Sequence, residues 1–341
     1  MKTQFFRFLF AKFALFVVVQ SPAYGEWPQW RGPKADGHSP ETGIHKDWTA
    51  KAPKTLWTVD LSDEGYANPS ASGGKVFIID HDKKQDIVRA IDLKTGNEAW
   101  RHTYDAGGRE NYGWARATPT VENDRVYTVS RDGVVYCLDT ENGEEIWTYD
   151  ALNDVSGKAP GWEVSHSPLI EGNQLIVPGG GKEAHIVALD KISGKPLWKG
   201  GGTYKLGYAT PVLTTLDSKK QLLVFNAFGL TGVDATDGKL LWSTKWKTMW
   251  DVNAPTPIPI GNDRVYISSG YRKGCAVYEI KNNTPEEICR NRTIPSKFNT
   301  GLFHEGHIYS TADSGYLICL KADTGETAWK HKAYRQGGLL A

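Results

Sequence analysis

The chain has 341 residues, 40% of them apolar, and a formal net charge of +1. That supplies one large core or an array of stacked units, and the mixed charge argues against a nucleic-acid-binding stripe or a disordered acidic tail. Glycine (36), tryptophan (13) and tyrosine (15) are abundant and methionine (2) is scarce, a balance that favours many short strands joined by tight turns.

The first predicted element is an export signal. Lys2, Arg7 and Lys12 supply a positive flank, residues 13–19 a short apolar run, and Ala23 and Gly25 the small residues ahead of a cut before Glu26. The run is far shorter than the roughly 20 residues a membrane span requires. Residues 1–25 therefore read as a signal peptide, 26–56 as an N-terminal extension and 57–341 as one exported, periplasmic or secreted domain without a membrane span.

That domain repeats itself every roughly 41–51 residues. The fullest copy, AIDLKTGNEAW, carries Gly96 and ends at Trp100. Others carry Gly143 and end at Trp147, Gly194 and Trp198, Gly238 and Trp242, and Gly325 and Trp329. A degenerate copy ends at Ile288, with Asn283 in place of the glycine, and an isolated end of the motif stands at Trp57. Upstream of each copy a proline opens a short apolar strand, a polar turn follows, and a strand such as DRVYTVS returns with period-two alternation. Each repeat thus reads as four short antiparallel strands. The aspartate can bond turn amides, the glycine supplies positive φ, and the tryptophan offers a large apolar face to the next unit. A lone four-stranded sheet cannot bury both faces, and radial repetition solves that problem. The predicted fold is all-β, a propeller of four-stranded blades.

The copies resemble the pyrroloquinoline-quinone (PQQ) propeller repeat, with its A-x-D-x-x-T-G-x-x-x-W tryptophan-docking signature. Residues 27–44, WPQWRGPKADGHSPETGI, and 160–170, PGWEVSHSPLI, are similar to segments of exported bacterial proteins of that class. The resemblance implies an eight-bladed ring. Six blades fit between Trp57 and Trp329, and the 12 residues after Trp329 are too few to complete the blade that Trp57 begins. The expectation is a C-terminally incomplete ring.

In this repeat class the loops entering the proline strands gather at one mouth of the central channel. Those loops carry Tyr66, Trp114, Arg116, Trp162, Glu163, His166, Tyr208, Trp250, Asp251 and Asn253, a mixture of rigid aromatics and a few charges suited to ligand binding. Three functions follow from the resemblance. One is a non-catalytic scaffold that docks envelope proteins or peptides, as the lipoprotein scaffold of the outer-membrane β-barrel assembly machinery does. That scaffold has a lipid-anchor cysteine, and this chain has none at the expected cut. The second is a PQQ- and calcium-dependent alcohol or polyol dehydrogenase, which needs oxygen ligands for Ca²⁺ and a carboxylate base. No residue set matches those positions; Asp251 and Asn253 come nearest, and the adjacent cysteine pair typical of such enzymes is absent. The third is a carbohydrate-binding propeller. The scaffold is the expectation, acting as a monomer with no catalytic residue, no metal site and no cofactor of its own.

Two further segments carry no chemistry. PGGGKEAH at 178–185 lacks phosphate-loop spacing and reads as a blade hairpin, and HEGH at 304–307 reads as a turn. Cys275 and Cys289 flank another apparent hairpin, where a disulfide is open to them, while Cys137 and Cys319 read as small buried residues.

Overall fold

The computed structural model describes residues 25–62, 65–107, 113–332 and 337–341. Apart from Gly25, the expected signal peptide lies outside them. Among the described residues twenty-four strands form six four-stranded antiparallel sheets, each built from four strands consecutive in the chain. Blade 1 comprises β1 (Ser70–Ser72), β2 (Lys75–Asp82), β3 (Gln85–Asp92) and β4 (Glu98–Asp105). The others follow at 120–150, 169–200, 212–245, 258–291 and 302–332. The fold is a β-propeller. No helix among the described residues is long and apolar enough to cross a membrane.

The apolar core lies between the blades, because strand alternation sends successive side chains to opposite faces. In blade 3, Leu175 and Val177 pack towards Tyr127 and Cys137 of blade 2. Ile176, between them in sequence, packs towards Leu222 and Val233 of blade 4. The same arrangement joins blades 1 and 2, 4 and 5, and 5 and 6. Each fully buried Leu, Ile or Val contributes about 1.5–3 kcal/mol.

At the outer rim four motif tryptophans dock on the glycine turn of the next blade. A Cβ built at Gly96 would lie 2.6 Å from the ring of Trp57, at Gly143 2.5 Å from Trp100, at Gly194 2.6 Å from Trp147, and at Gly238 2.4 Å from Trp198. The same glycines hold φ of +72° to +77°, so glycine is required for two reasons at once. The turn is braced by its aspartate: Asp92 Oδ1 accepts the N–H groups of Lys94 (3.1 Å) and Thr95 (2.8 Å). Trp57 and Trp100 add indole hydrogen bonds to the carbonyls of Leu93 and Thr140, both at 2.9 Å.

Blade 5 departs from the pattern. In every blade the register shifts at one bulge, which places the tryptophan opposite Ala90, Cys137, Ala188, Gly232 or Cys319. In blade 5 the residue in that position is Cys289, opposite Val277, not the neighbouring Ile288 at which the sequence motif ends. Its Sγ fills the place of a tryptophan, 2.4 Å from a Cβ built at Gly325 of blade 6. The disulfide considered for Cys275 and Cys289 is not formed. The two lie on adjacent strands, but Cys275 faces Asn291 and donates to its Oδ1 (3.1 Å), and both thiols are free. The hairpin reading of 178–185 and the turn reading of 304–307 agree with the pairings Pro178↔Ile186 and His304↔His307.

Candidate functional site at the channel

The inner ends of several blades are joined by a serine or threonine just ahead of the first strand, which precedes a proline in blades 2 to 5 and Gly301 in blade 6. The Thr118 N–H donates to Ser167 Oγ (2.9 Å) and the Ser167 N–H to Thr210 Oγ1 (3.0 Å). The Thr256 N–H donates to Thr300 Oγ1 (2.8 Å). The entry loops are also tied blade to blade, as where the Tyr66 N–H meets the Ala115 carbonyl (2.7 Å) and the Tyr208 N–H the Asn253 carbonyl (2.9 Å).

Residues 27–37 are built into this end of the molecule as a strap. Trp27 and Ala71 exchange backbone hydrogen bonds at 2.8 and 2.9 Å, and the Val121 N–H donates to the Pro28 carbonyl (2.8 Å). The Trp30 indole N–H donates to Thr256 Oγ1 (3.1 Å), and Arg31 Nη2 donates to the carbonyls of Gly301 (2.8 Å) and Asp36 (2.7 Å). The strap therefore runs from blades 1 and 2 to blades 5 and 6. Gly37, at φ +82°, leaves the space the guanidinium needs: a Cβ there would lie 2.7 Å from Arg31 Nη2.

Strap and entry loops enclose a cavity of about 1060 Å³. Of the residues expected at the mouth, Tyr66, Arg116, Trp162 and Tyr208 line it. Trp114 and Glu163 stand behind the wall. Glu163 bridges Arg116 (3.2 Å) and Arg131 (2.8 Å). The Arg131 guanidinium lies 4.5 Å over the Trp114 ring, and His81 stacks on that ring at 3.9 Å. His81 Nδ1 in turn meets Asp86 Oδ1 at 2.8 Å, and burial pushes the Asp86 carboxyl up.

His166 is not at the mouth. Ser165 and Ser167 face the cavity, and His166 between them is buried, with neither ring nitrogen bonded to protein. Burial lowers it to about 3, with a further push from His185, which is itself lowered to about 4 by burial. Asn253 is fully committed inside the fold: Nδ2 donates to the carbonyls of Asn226 (2.8 Å) and Trp246 (3.0 Å), and Oδ1 accepts from Ser269 (2.9 Å). Trp250 and Asp251 sit on the blade 5 entry loop at φ +62° and +59°, and the Trp250 ring is 69% exposed.

Trp27, Trp30, Arg31, Tyr271, Lys297 and Phe298 also line the cavity and were missed. A signal for the first three existed in the WPQWRGP segment, which reads as an extension because it precedes the repeats. The serine or threonine before the proline stood in four of the repeat strings.

The cavity can be compared with what a calcium-bound quinone needs. Arg31 and Lys297 suit the carboxylates of PQQ, but Ca²⁺ needs oxygen donors rich in carboxylate, and no Asp or Glu is among the described residues lining the cavity. No group of three or more metal-ligating side chains occurs among the described residues. The donor set does not fit the metal-dependent cofactor.

Comparison with known proteins places the chain. It is 23% identical over 317 residues to outer membrane protein assembly factor BamB of Yersinia pestis, covering 85% of this chain and 73% of that protein. A second relative, quinoprotein alcohol dehydrogenase PedH of Pseudomonas putida, is 27% identical over 163 residues, which is 45% of this chain and 25% of the enzyme. Among solved structures, BamB from Moraxella catarrhalis superposes with a TM-score of 0.58 at 19% identity, over 81% of this chain and 77% of that one. Quinohemoprotein alcohol dehydrogenase ADHIIG of Pseudomonas putida HK5 superposes at 0.60 and 14% identity, over 92% and 73%. These likenesses share the propeller fold. A family profile described as outer membrane protein assembly factor BamB matches residues 47–111 and 83–331, and the chain belongs to that family.

Proposed function

We propose that this propeller is a non-catalytic scaffold of the bacterial envelope that docks polypeptide on its channel-mouth rim. The observation that carries the reading is the row of exposed aromatics on the entry loops. Tyr66 is 59% exposed, Trp250 69% and Phe298 59%, and Met249 stands beside Trp250. Rigid aromatic side chains on a fixed framework dominate protein–protein contacts. Trp250 gains little burial in return for its left-handed backbone, a conformation that costs a bulky residue about 1–3 kcal/mol and tends to occur at functional positions. The signal-like N-terminal segment, the assembly-factor relatives and the absence of a carboxylate from the described cavity lining support the same reading.

The test is binding of an unfolded outer-membrane β-barrel polypeptide to the mature protein, followed by fluorescence anisotropy. Replacing Trp250 and Phe298 together by serine is expected to weaken binding about tenfold or more. Unchanged affinity would sink the rim as the docking surface. Titration with PQQ and Ca²⁺ in a dye-linked alcohol assay tests the dehydrogenase reading. Stoichiometric quinone binding with dye reduction would overturn the scaffold, and no dye reduction is expected.

A further inference from the structure

Arg31 is a buried guanidinium with no carboxylate in ion-pair range among the described residues. It is 7% exposed, and the bonds from Nη2 go to two carbonyls. The Asp36 carboxylate acts on it only through space, and accepts instead the His38 N–H at 2.9 Å. Burial outweighs that attraction and lowers Arg31 to about 10. A buried cation costs several kcal/mol unless an anion answers it. The surrounding wall adds positive charge. Lys297, whose Nζ lies 5.4 Å over the Tyr271 ring, lines the same cavity four residues before Gly301. Arg116 is already answered by Glu163. Around these cations the lining is aromatic, with Trp30, Tyr271 and Phe298 on the side of blades 5 and 6.

We propose that the channel cavity binds an organic carboxylate, held by Arg31 with Lys297 beside it, its apolar body against Trp30, Tyr271 and Phe298. A guanidinium and a carboxylate form charge-assisted hydrogen bonds roughly twice as strong as neutral ones, and the enclosed site strengthens them further. The carboxylate has two sources, a free arylalkanoic acid or the C-terminus of a polypeptide. The site shares Phe298 with the rim and is set apart from it by Arg31 and Lys297.

Tryptophan fluorescence titration of the full mature chain tests it with four probes: 3-phenylpropanoate, its primary amide, and a short leucine-terminated peptide as free acid or as amide. At least one acid is expected to bind ten times or more tightly than its amide, with affinity falling as salt rises. Binding of phenylpropanoate alone identifies a small-molecule site, and binding of the peptide acid alone identifies a polypeptide terminus. Arg31→Gln is expected to abolish the difference between acid and amide. Because Arg31 also ties the strap to Gly301, Lys297→Gln serves as the second variant and is expected to weaken acid binding severalfold with the fold intact by circular dichroism. Equal binding of acids and amides, or no binding at about 10 mM, overturns the proposal. Failure here with rim docking of the unfolded polypeptide preserved removes the cavity site alone.

Discussion

The outer rim and the channel end of this propeller are built on opposite principles. At the rim one joint is repeated: Trp57 on Gly96, Trp100 on Gly143, Trp147 on Gly194 and Trp198 on Gly238. At the channel the blades contribute a mixture: Tyr66 from the first, Arg116 from the second, Trp162 from the third, Tyr208 from the fourth, Tyr271 from the fifth and Lys297 from the sixth. The rim answers one mechanical requirement that recurs from boundary to boundary, with blade 5 as the exception. The channel carries residues that no boundary requires, several of them charged and buried, and that is where a binding function can reside.

Breaking one rim joint should have the largest effect. Trp100 is 8% exposed and packs with Phe77 at a ring separation of 5.9 Å. Trp100→Ala should destabilise the protein by about 4 kcal/mol, read as a lowered urea midpoint. Gly143→Ala attacks the same joint from the other side, through both the close ring and the φ of +74°. The channel end should be nearly as sensitive at one point. Glu163→Gln leaves Arg116 and Arg131 without their shared carboxylate, both with side chains less than a tenth exposed. The expected loss is about 3 kcal/mol by the same measurement.

The same contrast governs what could be read from the residues alone. The rim was legible because five copies of one motif state the same constraint, and the aspartate, glycine and tryptophan each have one physical role in it. Where the motif decays, in blade 5, the reading slips by one residue, because the spacing from Val277 to Cys289 is set by a longer hairpin that the motif does not encode. The channel was half legible. Repeat geometry placed Tyr66, Arg116, Trp162 and Tyr208 at the mouth. It could not distinguish His166, which is buried away from the cavity, from Ser165 and Ser167 on either side. Nor could it show that Asn253 is consumed by hydrogen bonds within the fold. Arg31 was hidden for another reason: it belongs to no repeat, and only the path of the strap brings it to the cavity.

His166 sharpens the comparison through pH. Blades 1, 2 and 4 have alanine in its position, at Ala67, Ala117 and Ala209. Burial lowers both His166 and His185, so the folded state resists their protonation while the unfolded chain accepts it. Their contribution is complete above about pH 6.5, and stability is lost as pH falls from there towards 4. Each histidine should add about 1.4 kcal/mol per pH unit to that slope. Urea midpoints measured at pH 7, 6, 5 and 4 should fall less steeply in His166→Ala than in the native chain. An unchanged slope would mean that the imidazole is already solvated in the folded state.

The smallest effect tests what the tryptophan is for. Trp329 ends the motif of blade 6 as Trp100 ends that of blade 1, each opposite a small residue, Cys319 or Ala90. Each has an aromatic neighbour in its own sheet, Tyr309 at 6.0 Å and Phe77 at 5.9 Å. They differ in what lies on the other side. Trp100 covers a glycine turn, whereas no glycine among the described residues faces the Trp329 ring, which is 44% exposed at the end of an outer strand whose residues are all exposed. If the indole acts mainly by joining blades, Trp329→Ala should cost less than about 1 kcal/mol, against about 4 for Trp100→Ala. Comparable losses at the two positions would mean that the tryptophan stabilises its own sheet, and the docking of ring on glycine would then follow from the fold without holding it together.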